Sequence, residues 1–154
     1  MSPSQARNAI KRALKELLDP PLSESEKGAV WKHFQCQCAF CGTDIERKGR
    51  KGHLDHLVPE SQGGRNALAN RVLACHTCNG DEKLDADWKE FLRSKAPSVD
   101  VYAERLKRIE SWILKHGESL TLDASTRELL ASEFEKVNVV FSKACGAIRP
   151  GRSG

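Results

Sequence analysis

Two Cys-x-x-Cys pairs, Cys38 with Cys41 and Cys75 with Cys78, constrain this chain more than any other feature. Brought together, they present four soft thiolates to one borderline-soft cation, the ligand set of a closed structural zinc site. Between the pairs runs His53-Leu54-Asp55-His56-Leu57-Val58-Pro59-Glu60-Ser61-Gln62-Gly63-Gly64, and Asn79 follows the last cysteine. Asp55 offers a hard oxygen ligand beside the imidazole of His56, the residue types that metal-assisted hydrolysis employs. Cys36 is close enough in sequence to substitute for Cys38. Otherwise Cys36 and Cys145 remain as thiols.

Composition bounds the architecture. With 154 residues, 39% hydrophobic and 30% charged, the chain reads as one soluble domain or one compact module with helical extensions. The first twelve residues are polar and carry Arg7, Lys11 and Arg12, unlike a secretory leader, and no apolar run is long enough to span a bilayer. A cytoplasmic location with no membrane partner is expected, and in that compartment paired cysteines point to metal rather than disulfides. The net charge of +4 and pI near 8.8 permit a nucleic-acid partner, although zinc-bound thiolates add negative charge that this sum omits.

The pattern divides the chain into an N-terminal helical extension over 1–34, a central part over 35–95 and a C-terminal helical extension over 96–154. From Pro3 to Leu18, Ala6, Ile10, Ala13 or Leu14, and Leu17 recur at helical spacing, and Asp19-Pro20-Pro21 stops the helix. Ser23 with Glu26 forms a capping box for a second helix, whose apolar side is Val30, Trp31 and Phe34. The central part predicts a knuckle, a basic turn from Glu46 to Gly52, a strand near Gly52 to Val58, a glycine-containing loop, a strand near Arg71 to Ala74 and a helix from about Thr77. Beyond Ala96-Pro97, Tyr102, Leu106, Ile109 and Ile113 share one helix face, and Gly117 is a natural stop. Leu130, Phe134, Val137, Phe141, Ala144 and Ile148 alternate spacings of four and three, the seam of an antiparallel helix pair or of a homodimer contact through the C-terminal helices. Val137, Val139 and Phe141 also fit a strand. Arg149 to Gly154 reads as a frayed tail.

The middle of the chain resembles the HNH endonuclease family, whose pattern is Cys-x-x-Cys, then Asp-His-x-x-Pro followed by Ser-x-Gly-Gly, then Asn, then a second Cys-x-x-Cys with Asn or His directly after. Every element is present in order from about Cys38 to Lys83, under a third of the chain. The resemblance implies an α+β fold: a ββα-metal core with structural zinc knuckles, flanked by N- and C-terminal helices. It also implies DNA as substrate and products with a 5′ phosphate and a 3′ hydroxyl. On it, Cys38, Cys41, Cys75 and Cys78 hold the structural zinc, and Asp55 and Asn79 ligate a catalytic magnesium or manganese ion. His56 is the general base. Neighbouring strand residues point apart, so Asp55 and His56 serve one site only if a twist or bulge re-aims one of them. Asn70 has the spacing of the middle family asparagine, which braces the loop, and Asn66 is its alternative. The family commonly places a lysine three residues after the final Asn or His; here Glu82 occupies that position and Lys83 follows, which bears on Lys83 as a phosphate contact.

Arg47, Lys48, Arg50 and Lys51 concentrate charge beside the first strand, the best candidates for non-specific phosphate contact. Each feature also has a plainer use: a solvated turn for these cations, an N-cap for Asn79, a strand or helix-end role for His53, His76, His33 and His116. Trp31, Phe40, Trp88, Phe91 and Trp112 read as core. Two other function classes compete with a nuclease: a non-catalytic, zinc-stapled DNA-binding module and a protein-interaction scaffold. A DNA-binding module needs no Asp55, His56, Asn70 and Asn79 together.

Overall fold

Helices in this protein begin where a side-chain oxygen can take up their first free N–H groups. In the computed structural model, which describes residues 1–49 and 51–148, Ser2 caps α1 (Pro3–Leu18) and Ser23 caps α2 (Glu24–His33), both as capping boxes. Asp87 accepts from the Lys89 and Glu90 amides at the start of α3 (Trp88–Lys95), and Ser98 accepts from Val101 in α4 (Val99–His116). Asp123 accepts from the Thr126 amide at 2.8 Å at the start of α5 (Ala124–Ile148). The α4 helix ends on Gly117 at φ 61°, a left-handed position that glycine adopts without a Cβ clash.

Between α2 and α3 lies an antiparallel ribbon, β1 (Gly52–His56) paired with β2 (Arg71–Cys75) from Gly52↔Cys75 through Asp55↔Val72 to His56↔Arg71. The first strand stops two residues short of the expected Val58. Leu57 donates to the Asn70 main-chain oxygen, but Val58 donates to the Asn70 side chain, so the ladder gives way to a side-chain latch. The helix expected from Thr77 is one wide π-helical turn, Thr77–Glu82, closed by Lys83 N–H donating to Cys78 O. Leu84, at φ 45°, ends it in the left-handed region. The mixed α+β class and the strand, strand, helical-turn order stand as expected.

The chain separates into two compact units, one of Pro21–Leu122 and one of Met1–Pro20 with the chain from Asp123 onward. In the first unit α2 packs on β2, and α4 packs on α3 and on the turn at Leu68–Asn70. Val30 of α2 and Phe34 at its C-cap, Val72 and Leu73 of β2, and Ile109 and Trp112 of α4 are fully buried together. Removing each such side chain from water contributes roughly 1.5–3 kcal/mol. Of the expected core aromatics, Phe40, Trp88, Phe91 and Trp112 are buried, while half-buried Trp31 lies over Gly52, where a Cβ would sit 2.5 Å from its ring. No other residue fits under that ring at the start of β1.

In the other unit α5 is one helix, not a strand, over Val137–Phe141, and α1 lies against it. Arg7 stacks over Phe141 and donates to Ser142 Oγ at 3.1 Å, and Lys11 stacks over Phe134. Part of the predicted seam is thus met within the chain. Among the described residues no helix is long and apolar enough to cross a membrane. Arg149 to Gly154 lie outside the described residues.

Candidate metal and catalytic centre

The two knuckles converge. The sulfurs of Cys38, Cys41, Cys75 and Cys78 all lie within 4.8 Å of one another, and Cys41 and Cys75 are 3.7 Å apart. A tetrahedron of thiolates about 2.3 Å from zinc has edges of about 3.8 Å, so this spacing suits one such ion. Cys36 stays outside the cluster: its backbone at φ 58° turns the chain after α2 before the first knuckle begins. The cysteines are unbridged thiols. Four sulfurs this close cannot all ionise alone. The Cys78 thiol, with backbone N–H groups, holds Cys38 far below the ordinary thiol value, while that same contact, with burial, pushes Cys78 far up. A divalent ion removes the conflict, and the four-cysteine cluster could hold a metal such as zinc.

Neighbouring groups fix the first knuckle in place. Cys38 donates to Thr43 O, and Gly42, at φ 78°, donates back to Cys38 O. From α4, Arg105 reaches the Phe40 carbonyl at 2.7 Å, with its guanidinium packed over Gly42. The second knuckle begins at Cys75, the last residue of β2, so the ribbon leads directly into the sulfur cluster.

Asp55, on β1, is largely enclosed, its side chain 13% exposed. Its Oδ2 faces the Lys83 ammonium at 3.2 Å, a charge pairing without hydrogen-bond alignment. Burial raises the Asp55 carboxyl above its ordinary value, and Lys83 pulls the other way. Lys83 is 1% exposed and also donates to the His56 carbonyl at 2.6 Å. Lys83, expected from its position to be a phosphate contact, thus has its ammonium enclosed between Asp55 and the His56 carbonyl.

His56 ends β1 opposite Arg71. Its Nε2 lies 3.3 Å from Asn66 Oδ1, and Arg71 donates to that same oxygen. A guanidinium can only donate, so the contacting atom of Asn66 is its oxygen, and Nε2 of His56 carries a proton. A neutral ring then has its lone pair on Nδ1. The ladder runs through Asp55 and His56 without an extra residue, so the bulge that would re-aim one of them does not occur within β1. The two side chains leave opposite faces of the ribbon. They can meet one ligand only around its end, where the strand runs into Pro59.

That end is held by Asn70, which is fully buried. Its Oδ1 accepts from Val58 N–H at 2.8 Å, and its Nδ2 donates to Val58 O at 3.0 Å and to Arg65 O at 2.9 Å. The two candidate asparagines divide the work: Asn70 ties the backbone and Asn66 touches the histidine. Gly63 turns at φ 84°, and a Cβ on Gly64 would lie 1.8 Å from Val58 O. The Gly-Gly pair is needed because the loop folds back onto the strand it has just left.

Asn79 is half-buried within the π-helical turn, between Cys78 of the sulfur cluster and Lys83. Arg47, Lys48 and Lys51 are exposed in the turn before β1, and Arg50 lies outside the described residues. His53 packs near His76, ring centroids 5.6 Å apart. Sequence reasoning missed Arg71 and Arg105. Nothing local marks either one, because their partners Asn66, Leu54 and Phe40 come from other elements.

A family model described as HNH endonuclease matches residues 38–94, the segment that contains both knuckles, the ribbon and α3 to within one residue of its end. No curated protein and no solved structure matches the chain.

Proposed function

We propose, from the match of residues 38–94 to the HNH endonuclease family model, that this protein is a metal-dependent endonuclease hydrolysing DNA phosphodiester bonds. The observation that carries the reading is the setting of His56. Its ring is oriented through Nε2 by Asn66, and it stands at the end of β1 next in sequence to an enclosed carboxylate.

In this mechanism His56 takes a proton at Nδ1 from the attacking water. Asn66 holds the ring and Asn70 holds the backbone on which it stands. The buried, incompletely satisfied Asp55 oxygen and the Asn79 amide suit a hard cation with few protein ligands, magnesium or manganese. When bound, that ion supplies charge to offset the phosphate and the leaving 3′ oxygen. Cys38, Cys41, Cys75 and Cys78 hold zinc as a structural ion, and a 5′ phosphate and 3′ hydroxyl are the expected ends. Arg47, Lys48, Arg50 and Lys51 supply phosphate contacts independent of sequence. The protein is expected to act in the cytoplasm.

The test is a supercoiled plasmid incubated with wild-type protein and with His56→Ala, with and without magnesium or manganese. Cleavage is expected from the wild type with the ion present. The variant should lose it while keeping its fold, bound zinc and DNA affinity. A variant that cuts as well as wild type, or wild type that binds DNA and never cuts it, overturns the proposal and leaves a zinc-stapled DNA-binding module.

A further inference from the structure

We propose that Lys83 is a resident cation that keeps the Asp55 carboxylate in place and competes with a divalent ion for its charge, a positioning residue rather than a contact for DNA. The inference rests on the reading of Asp55 as a ligand for that ion.

Lys83 is 1% exposed. A buried ammonium is costly unless hydrogen bonds and opposite charge offset its lost hydration, and here one hydrogen bond and one ion pair do so. Asp55 Oδ2 is at 3.2 Å, His56 O accepts at 2.6 Å, and the Phe40 ring centroid lies 5.9 Å away. Its main chain belongs to the second knuckle, through the bond from Lys83 N–H to Cys78 O at 3.0 Å. The side chain therefore links the sulfur cluster to the two residues of the ribbon that carry the proposed chemistry. Without Lys83, Asp55 would be an enclosed carboxylate with no neighbouring ammonium, and the ribbon end would lose a bond to its carbonyl. With it, any cation approaching Asp55 shares the carboxylate with a positive charge already in contact. The result is a site that is formed before the ion arrives and that binds the ion more weakly than Asp55 and Asn79 alone would.

Two substitutions separate these effects. Lys83→Met keeps an unbranched side chain one atom shorter and removes charge and donor; Lys83→Gln, shorter by the same amount, removes the charge and retains an amide donor directed at the His56 carbonyl. Each is compared with the wild type, zinc still bound, by calorimetric titration with manganese and by thermal melting with and without manganese. Without manganese, Lys83→Met should melt about 10 °C lower and Lys83→Gln less so. Both should bind manganese about tenfold more tightly than wild type and gain more in melting temperature from it. A merely structural lysine predicts the opposite for affinity, because a misplaced Asp55 is a poorer ligand.

Manganese affinity that is unchanged or weaker in both variants overturns the proposal, as does failure of both to fold even with manganese. If wild type binds manganese and cuts plasmid while the variants bind no tighter, the Lys83 proposal alone fails. If wild type binds no manganese and leaves plasmid intact, the nuclease reading fails and takes this inference with it.

Discussion

Asn70→Ala is the most direct probe of how the loop supports His56. The substitution removes three hydrogen bonds at once and leaves the Val58 N–H, the Val58 carbonyl and the Arg65 carbonyl to find other partners. A buried group left without its partner costs about 1–3 kcal/mol. Carbonyls retain a second lone pair and loops relax, so the low end applies to the two oxygens and the middle to the N–H, for about 4 kcal/mol together. For a chain of this length, about 2–4 °C of melting temperature per kcal/mol makes the expected fall about 10 °C. Asn70→Asp should be no better, since it turns the donor toward two carbonyls into an oxygen. Thermal melting measures the total, and amide exchange at Val58 locates it: protection there should collapse while protection at Val72, paired with Asp55 in the ribbon, persists below the melting point. A variant within about 2 °C of wild type, or one with the Val58 amide still protected, would refute the latch.

Cys75→Ser should release the zinc and unfold the central part. A structural zinc supplies on the order of 10 kcal/mol in small modules, comparable to the whole stability of a domain; metal analysis with a melt checks this, and an unchanged melt contradicts it. Asn66→Ala removes the acceptor for His56 Nε2 and should lower kcat about tenfold to a hundredfold with little change in KM, read from plasmid cleavage kinetics. Bonds from the Ser125 and Thr126 hydroxyls and the Thr126 amide hold the Asp123 carboxyl far below its ordinary 3.8. Because the folded value is depressed, its stabilisation of α5 is complete above 3.8 and is lost as pH falls below it. Helicity followed by circular dichroism should therefore fall on acidification in wild type and lack that component in Asp123→Ala.

What the sequence made legible was local. Ser23 three residues before Glu26 and Gly117 after a periodic run each act within one turn of chain, so their spacing suffices to place a helix end. The four clustered cysteines were legible because paired spacing is itself a geometric statement, although the choice between Cys36 and Cys38 needed the backbone turn at Gln35 and Cys36. The fate of Lys83 was not legible. Its spacing from Asn79 invited a reading in terms of phosphate, while its actual partners sit on a strand far earlier in the chain. The same holds for Asn66 and Asn70, which looked like rivals for one task because sequence cannot show that the loop has two sides. The early end of β1 reflects a side chain outcompeting a ladder, which strand propensity does not register.

The ribbon-bearing unit extends past the end of α4. After α4 the backbone returns to the glycine turn: Thr121 bridges Gly64, Arg65 N–H donates to Leu120 O, and Leu122 N–H donates to Gly63 O. A fragment trimmed at the visible helix end, Gly117, would strip an edge from the turn that supports Asn66, and its weak activity would be misread as a missing partner helix. Ending the fragment at Leu122 keeps the stitching whole, so five residues that look like spare linker decide whether an excised core reports on the intact molecule.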